Sequence, residues 1–149
     1  MKDDLKKYAP PDLQLSGLQI WIHHRQFPDA EDYWDGNWIN VTAHCEANGS
    51  SVQINGNFIH LSEIAGLMTG VEQMYKELGG KAELRCMEPE LSFSLETKDH
   101  GHIEMTVNIT PDNLTQYHKF FFEIDRSYLP KLITDCRTVL AKYPIKGNQ

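Results

Sequence analysis

The sequence has little cysteine, only three residues in 149, at Cys45, Cys86 and Cys136. The three are far apart, and each falls on the apolar face of a predicted strand or helix. Small disulfide-bonded domains carry more cysteines at closer spacing, whereas isolated cysteines on apolar faces are typical of buried free thiols. We therefore predict three reduced thiols and a reducing compartment.

Long apolar runs are also absent. No stretch approaches the roughly 20 apolar residues that a membrane-spanning helix needs. The charged residues near Met1 are not followed by the apolar segment of a secretory signal, because Pro10 and Pro11 come first. These absences predict a cytoplasmic protein with no membrane partner.

Positive charge is scarce, with 14 Lys and Arg against 21 Asp and Glu and a net charge of −7. Residues 126 to 146 contain five basic residues and one acid, so the acidity belongs to the first 125 residues. An acidic protein is repelled by phosphate backbones and by anionic lipids. The charge balance therefore predicts no nucleic-acid partner and favours a basic protein surface.

Motifs for catalysis and for cofactors are missing. The chain has no phosphate-binding glycine loop, no Gly-x-Ser-x-Gly elbow and no His-Glu-x-x-His pair. We predict no catalytic residue, no metal and no cofactor, although a pair such as Asp32 with His44 could still meet in space and exchange protons. We interpret the histidines as surface residues; they are His23, His24, His44, His60, His100, His102 and His118.

Alternation of apolar and polar residues predicts strands in both halves of the chain. The first strand is expected over Leu13 to His23, and Asn48-Gly49 predicts a hairpin between the next two. In the second half, strands are expected around residues 84–86, 91–95, 103–109 and 117–124. The run Phe120-Phe121-Phe122 has rings on both faces, which predicts that the last strand is central or covered on both sides.

Apolar residues at spacings of three and four predict two helices. The first extends from Leu61 to Leu78, with Ser62 as a capping residue, and its Gly66 and Gly70 predict a close approach of the helix to a neighbour. The second starts near Ser127 and is ended by Pro144. The fold class is therefore α+β: two successive antiparallel β units form a sandwich or strongly curved sheet, and each is followed by one amphipathic helix. Residues 1–11 are expected to be a frayed tail and residues 12–149 one domain.

One stretch, residues 23–41, matches neither periodicity. It contains four carboxylates beside two large rings, followed by Trp38 where the next strand starts. Rings on a charged loop must fold back or meet a partner, so we predict a partner-binding surface. A merely solvated or self-packed loop is the alternative. The predicted partner-binding residues are Asp29, Glu31, Asp32, Tyr33, Trp34 and Asp35.

The Asp35-Gly36 pair invites comparison with a calcium-binding loop. With Gly36 at the glycine position of that loop, Tyr33 occupies the third ligand position and Thr42 the terminal one. Neither offers the carboxylate that those positions need, so the carboxylates are not predicted to bind a metal.

Residues 25–41, together with the strand Glu88-Pro89-Glu90-Leu91-Ser92-Phe93-Ser94-Leu95, resemble the bacterial WapI-like immunity protein family. The shared arrangement is a Pro-Asp loop, an Asn-Trp strand start and a Pro-x-Leu-x-Phe strand, and the likeness extends from about Leu13 to Tyr143. It implies a cytoplasmic, non-enzymatic protein that binds and neutralises a polymorphic toxin domain, in the type member a tRNA-cleaving nuclease. The family has no catalytic residues to transfer, and the oligomeric state is open.

Two other functions stay open on the sequence. One is a small-molecule-binding protein or an enzyme, with a pocket beneath the loop of residues 23–41. The other is a housekeeping domain whose loop covers an open end of a sheet.

Overall fold

The structure, a computed structural model, describes residues 8–149. In that range the chain forms eight strands and three α-helices. The strands are β1 (Leu13–Leu15), β2 (Leu18–Arg25), β3 (Trp38–Ala47), β4 (Ser50–His60), β5 (Lys81–Leu84), β6 (Leu91–Thr97), β7 (His102–Ile109) and β8 (Lys119–Asp125). The helices are α1 (Tyr33–Gly36), α2 (Leu61–Glu77) and α3 (Leu129–Lys142), with 3-10 turns at Asp99–Gly101 and Arg126–Tyr128.

The strands form two four-stranded antiparallel sheets, in the orders β1-β2-β3-β4 and β5-β6-β7-β8. Within each sheet, consecutive strands pair, and α2 follows the first sheet as α3 follows the second. The predicted α+β class, with two successive antiparallel units each followed by a helix, is confirmed. The helix α1 is a single turn inside the β2–β3 connection.

The prediction of one strand over Leu13 to His23 is wrong in one respect. These residues belong to a hairpin of β1 and β2, with a turn at Ser16-Gly17. A Cβ at Gly17 would collide with the carbonyl oxygen of Glu46 on β3, so glycine is needed there. The sequence pattern shows the turn. The buried leucines before it, Leu13 and Leu15, have odd numbers, whereas the buried aliphatic residues after it in β2, from Leu18 onward, have even numbers. That change from odd to even numbers is what a two-residue turn produces in an alternating pattern.

The apolar faces of both sheets and both long helices meet in one hydrophobic cluster. Leu67 of α2 and Leu132 of α3 are both buried in it, and the two helices contact each other. A Cβ at Gly70 would lie 3.0 Å from the Cβ of Ala82 on β5, so this glycine permits a close approach. The same prediction is wrong for Gly66, where an added Cβ would meet open space.

The cysteines are free, as predicted: Cys45 and Cys136 are buried and Cys86 is half-buried. Burial raises the pKa of the Cys45 thiol to about 12, and burial also raises the pKa of Cys86 and Cys136. The three thiols are therefore protonated at neutral pH and act as apolar core groups.

The start of α2 differs from the prediction. Its capping residue is His60 and not Ser62, because the His60 ring accepts from the Ser62 N–H at 3.3 Å. Glu63 completes the cap, since its Oε1 accepts the His60 N–H at 2.7 Å. Histidine is an unusual N-cap, so the sequence pattern pointed to the serine.

The strand β8 is an edge strand, so the prediction of a central or doubly covered strand is wrong. Phe120 points into the core, whereas the side chain of Phe121 is 69% exposed. Three consecutive rings on a strand must alternate between its faces, and here one face is open to solvent.

The predicted frayed tail falls partly outside the described residues. Within them, the ring of Tyr8 lies 5.7 Å from that of Trp21 and 4.9 Å from that of His23, between ring centroids. The Trp21 indole N–H also donates to the carbonyl of Ala9. The chain just before β1 therefore packs on β2.

Candidate functional site

The connection between β2 and β3, residues 26–37, contains all six predicted partner-binding residues, and we call it the acidic-aromatic loop. Its centre is α1, which Asp32 caps by accepting the Asp35 N–H at Oδ2, 3.0 Å away. The Gly36 N–H donates to the Asp32 carbonyl at 3.0 Å. Asp32 therefore stabilises the loop itself, in addition to any contact it makes with a partner.

Asn37 anchors the end of the loop and is fully buried. Its Nδ2 donates to the carbonyl oxygens of Tyr33 and Lys146, at 2.7 and 2.9 Å. Its Oδ1 accepts the Lys146 N–H at 2.9 Å, and its own carbonyl accepts the Leu61 N–H at 2.8 Å. A buried amide with these partners fixes the loop to α2 and to the C-terminal part of the chain.

The residues after α3, positions 144–147, form a C-terminal segment that lies under the loop. The Lys146 ammonium donates to the carbonyl oxygens of Pro28 and Ala30, at 2.9 and 3.0 Å. It also lies 3.4 Å from Oε1 of Glu31. An ammonium group has three donors, and here each one has an oxygen of the loop within reach.

Two further contacts close the clamp between loop and C-terminal segment. Arg25 donates to the Gly36 carbonyl through Nη1, at 2.6 Å, and to the Pro144 carbonyl through Nη2. Gly147 has a φ of +67°, and a Cβ there would lie 2.7 Å from the backbone nitrogen of Tyr33. The C-terminal segment therefore approaches α1 as closely as glycine allows.

His60 supports the loop from below and is fully buried. The Tyr33 and Trp38 rings each lie 5.1 Å from the imidazole, and the Trp34 ring lies 5.7 Å away, between centroids. Its Nε2 is 3.1 Å from the Tyr33 carbonyl oxygen, which can only accept, so Nε2 holds the proton and Nδ1 accepts. Burial lowers the pKa of His60, so its neutral form is favoured.

The structure brings the six predicted residues together on one surface. The four carboxylates Asp29, Glu31, Asp32 and Asp35 are exposed, Tyr33 is half-buried, and the Trp34 side chain is 52% exposed. Phe27, which was not predicted, adds a second ring that is 46% exposed. The loop therefore presents four carboxylates and two rings to solvent.

The interpretation of the histidines as surface residues is wrong for two of them, since His44 and His60 are buried. His44 lies 3.1 Å from Oε1 of Gln19 and 2.7 Å from Oγ of Ser51. The suggested acid–base pair of Asp32 and His44 is not supported, because Asp32 caps α1 while His44 contacts Gln19 and Ser51.

Within residues 8–149, no group of three or more His, Cys, Asp or Glu side chains is placed to hold a metal ion. None of the helices in that range has the length and apolar character needed to cross a bilayer.

Sequence reasoning missed the residues that hold the loop, namely Arg25, Asn37, His60, Lys146 and Gly147. The contact between Asn37 and Lys146 joins residues 109 positions apart. No local pattern records such a contact. The nearest signal is the pair of a glycine and a lysine shortly after Pro144, where the basic charge would suit an acidic neighbour.

Comparison with known proteins gives one informative match. No curated protein matches the chain. Two solved structures are weakly similar to it. The structure of WHY1 from Arabidopsis thaliana has 13% sequence identity and a TM-score of 0.48, and the match covers 86% of this chain and 78% of that one. The structure of the plant transcriptional regulator PBF-2 has 9% identity and a TM-score of 0.46, and the match covers 85% of this chain and 75% of that one. The model of the Immunity protein WapI-like family matches residues 12–144, which is nearly the whole chain, and the chain therefore belongs to that family.

Proposed function

We propose that this protein is a non-enzymatic immunity protein whose acidic-aromatic loop covers the basic substrate surface of a nuclease toxin. Membership of the immunity protein family supports a protein toxin as the partner. The nuclease class is what the family resemblance implies, and the contact surface is inferred from the chemistry of the loop.

The observation that carries the proposal is the combination of exposed rings with a fixed backbone. Trp34 and Phe27 face solvent, while the loop beneath them is held by the buried Asn37 and His60 and by the Lys146 ammonium. Rigid aromatic side chains lose little conformational entropy on binding, and such anchors commonly supply most of the affinity of an interface. A loop that merely covered the sheet would bury these rings.

The charges around the rings select the kind of partner. The loop that holds Trp34 has four exposed carboxylates, and of these Glu31 is paired with Lys146. The chain as a whole has a net charge of −7. A nuclease binds phosphates with lysine and arginine, so its substrate groove attracts carboxylates. Complementary charge of this kind raises the association rate and selects against acidic partners.

A pocket beneath the loop, which the alternative function requires, receives less support. The space under α1 is filled by the side chains of Asn37 and His60 and by the C-terminal segment. The geometry favours a contact on top of the loop over a ligand below it.

The direct test uses a toxin domain that is captured from the source cell with this protein as bait. Expression of that domain in a bacterial host should stop growth, and co-expression of this protein should restore it. Trp34→Ala should reduce the protection, whereas Tyr117→Ala, which removes another exposed ring outside the loop, should not. Each variant is first shown to be folded by its circular dichroism and melting temperature.

Two results would contradict the proposal at different levels. If the parent gives no protection against the captured toxin domain, the immunity function is wrong for that pair. If it protects, and folded Trp34→Ala protects equally at low expression, the toxin binds elsewhere on the protein.

A further inference from the structure

The outer edge of β8 is open in the part of the chain that the structure describes, since no strand there pairs with it. The strand is seven residues long, contains no proline, and keeps a continuous register with β7. Proteins usually protect such an edge with a bulge, a proline, a short length or charged side chains, because it would otherwise pair with another chain. β8 has no bulge and no proline, and its charged side chains Lys119 and Glu123 are of opposite sign, so they do not repel a strand that presents the same two residues in reverse order.

The backbone groups that point to the open edge can be identified. The Ile109 N–H donates to the His118 carbonyl at 3.3 Å, so His118 is a residue that bonds toward β7. Bonding sides alternate along an antiparallel strand. The backbone N–H and C=O groups of Lys119, Phe121 and Glu123 therefore face the open edge, and their side chains share the exposed face.

The exposed face of β8 has an apolar centre between opposite charges. Phe121 is 69% exposed, and Lys119 and Glu123 flank it two residues away on either side. The Lys119 ammonium lies 5.7 Å from the centre of the Phe121 ring. A second strand that presented the same three residues in reverse order would place ring against ring and each charge against its opposite.

We propose that β8 pairs antiparallel with β8 of a second copy of this chain, with Phe121 on the two-fold axis. Phe121 then faces its counterpart, and Lys119 of each copy faces Glu123 of the other. Each directly opposed pair exchanges two backbone hydrogen bonds, so the contact forms about six. The two sheets join into one continuous sheet of twice the strand number, and the pairing is independent of the acidic-aromatic loop.

The charge distribution of the sheet favours this register. Glu96, Glu104 and Glu123 lie side by side on β6, β7 and β8, and Lys98 pairs with the first two at 2.9 and 3.4 Å. Glu123 pairs with Nδ1 of His102 at 2.6 Å and is still 67% exposed, so it is open to Lys119 of the second copy. Like charges opposite each other destabilise a sheet, and an added lysine offsets that effect.

The two neighbouring registers are less favourable. With Phe120 on the axis, Glu123 of each copy would face Tyr117 of the other and would lose its opposite charge. With Phe122 on the axis, Phe121 of each copy would face Glu123 of the other, and Lys119 would face Asp125. That arrangement sets each exposed ring against a carboxylate. The register centred on Phe121 avoids this and pairs the two rings, which stabilises cross-strand contacts.

Sedimentation of the full chain over a concentration series from micromolar to submillimolar tests the pairing. We expect a monomer–dimer equilibrium in the parent. Lys119→Glu or Glu123→Lys alone creates two like-charge pairs and should weaken dimerisation at least tenfold. The double variant, Lys119→Glu with Glu123→Lys, restores opposite charges and should recover the parent's dissociation constant to within about threefold.

Two controls separate pairing from folding. Phe121→Asp should abolish the dimer, whereas Ser94→Asp, on the same face of the sheet but on the interior strand β6, should leave it unchanged. Circular dichroism and melting temperatures confirm that each variant is folded. A parent that stays monomeric at submillimolar concentration overturns the proposal, as does a dimer that Phe121→Asp leaves intact.

Cross-linking tests the register. Directly opposed residues of a hydrogen-bonded antiparallel pair have Cα atoms about 5.5 Å apart, which a disulfide spans. Phe121→Cys should therefore form a covalent dimer under mild oxidation, and Ser94→Cys should not. Cys45 and Cys136 are buried, and Cys86→Ala in every variant removes the half-buried thiol, so the Cys86→Ala background is expected to give no cross-link. A dimer in which Phe121→Cys does not cross-link overturns the register centred on Phe121.

Discussion

At the scale of single residues, His60 connects the core to the exposed loop. It caps α2, donates to the Tyr33 carbonyl and supports three aromatic rings, all from a fully buried position. Replacing it by Asn keeps a side chain that suits an N-cap and removes the ring. We expect His60→Asn to reduce the free energy of unfolding by about 1–3 kcal/mol, because the Tyr33 carbonyl loses one of its two donors and the missing ring leaves a space beneath three aromatic side chains.

The same residue predicts a pH dependence. Burial lowers the pKa of His60, so the unfolded chain takes up the proton at a higher pH than the folded one. Stability that is present above the unfolded-state pKa of about 6.5 is therefore lost as the pH falls below it. Denaturant melts between about pH 7.5 and 5.5 should show a smaller loss for His60→Asn than for the parent.

His100→Asn is the matched control, since it is the same substitution at an exposed turn and should keep the parent's pH profile. The pKa of His23 is also lowered by burial and contributes in the same direction, so a partial effect is expected. Equal slopes for His60→Asn and the parent would contradict the role given to His60.

Lys146 gives a second prediction at this scale. Lys146→Met keeps most of the side chain's length but removes the donors to the Pro28 and Ala30 carbonyls. Hydrogen bonds from a charged group contribute about 1.5–3 kcal/mol, so the loop should open more often. Hydrogen exchange at the amides of Ala30 and Gly36 should be faster, and that of β3 should be unchanged.

Lys142→Met is the control for Lys146→Met, because Lys142 is exposed in the last turn of α3. If the two variants show the same exchange rates in the loop, the C-terminal segment does not hold it.

At the scale of elements, α2 and α3 stabilise the protein through their buried stripes. Leu67 and Leu132 are 0% and 1% exposed, and each lies at the middle of its stripe. Leu→Ala at either position should reduce the free energy of unfolding by about 2–5 kcal/mol through lost burial and the cavity left behind.

The controls for these substitutions are Glu72→Ala and Arg137→Ala on the exposed faces of the same helices. Exposed substitutions of this kind change stability by about 0.5 kcal/mol or less. Denaturant unfolding measures all four variants. A loss below about 1 kcal/mol at Leu67 or Leu132 would mean that the stripe does not contribute to the core as described.

At the scale of the whole molecule, net charge and anchoring rings should affect toxin binding differently. Neutralising Asp29, Glu31 and Asp35 together should slow association and flatten its salt dependence, because exposed charges act over a distance that salt screens, about 10 Å at 0.1 M. Asp32 is left in place since it caps α1. Trp34→Ala should instead speed dissociation, at a cost of about 2 kcal/mol or more.

Surface plasmon resonance with the captured toxin domain at several salt concentrations separates the two effects. Tyr117→Ala serves as the control for lost aromatic area, because its ring is 74% exposed outside the loop. If Trp34→Ala and the triple variant both bind with the parent's rates, the acidic-aromatic loop is not the interface.

The local pattern of the sequence was enough for the fold class. Alternation placed β3, β4 and three strands of the second sheet, and Asn48-Gly49 located a hairpin in which Ala47 faces Ser50. The strand expected at residues 84–86 is wrong in position, because β5 ends at Leu84 and begins at Lys81. The two apolar stripes identified the long helices, and proline at position 144 marked the end of α3. These features are set by the chemistry of residues a few positions apart, so they can be predicted from the sequence alone.

The tertiary structure alone decided how the candidate surface is built. The sequence placed four acids and two rings in one loop, but the clamp between Asn37 and Lys146, the burial of His60 and the open edge of β8 depend on which distant segments meet. A polar side chain is free to be solvated, to cap a helix or to be buried against a carbonyl. Which of these it does follows from three-dimensional proximity and not from its neighbours in the chain.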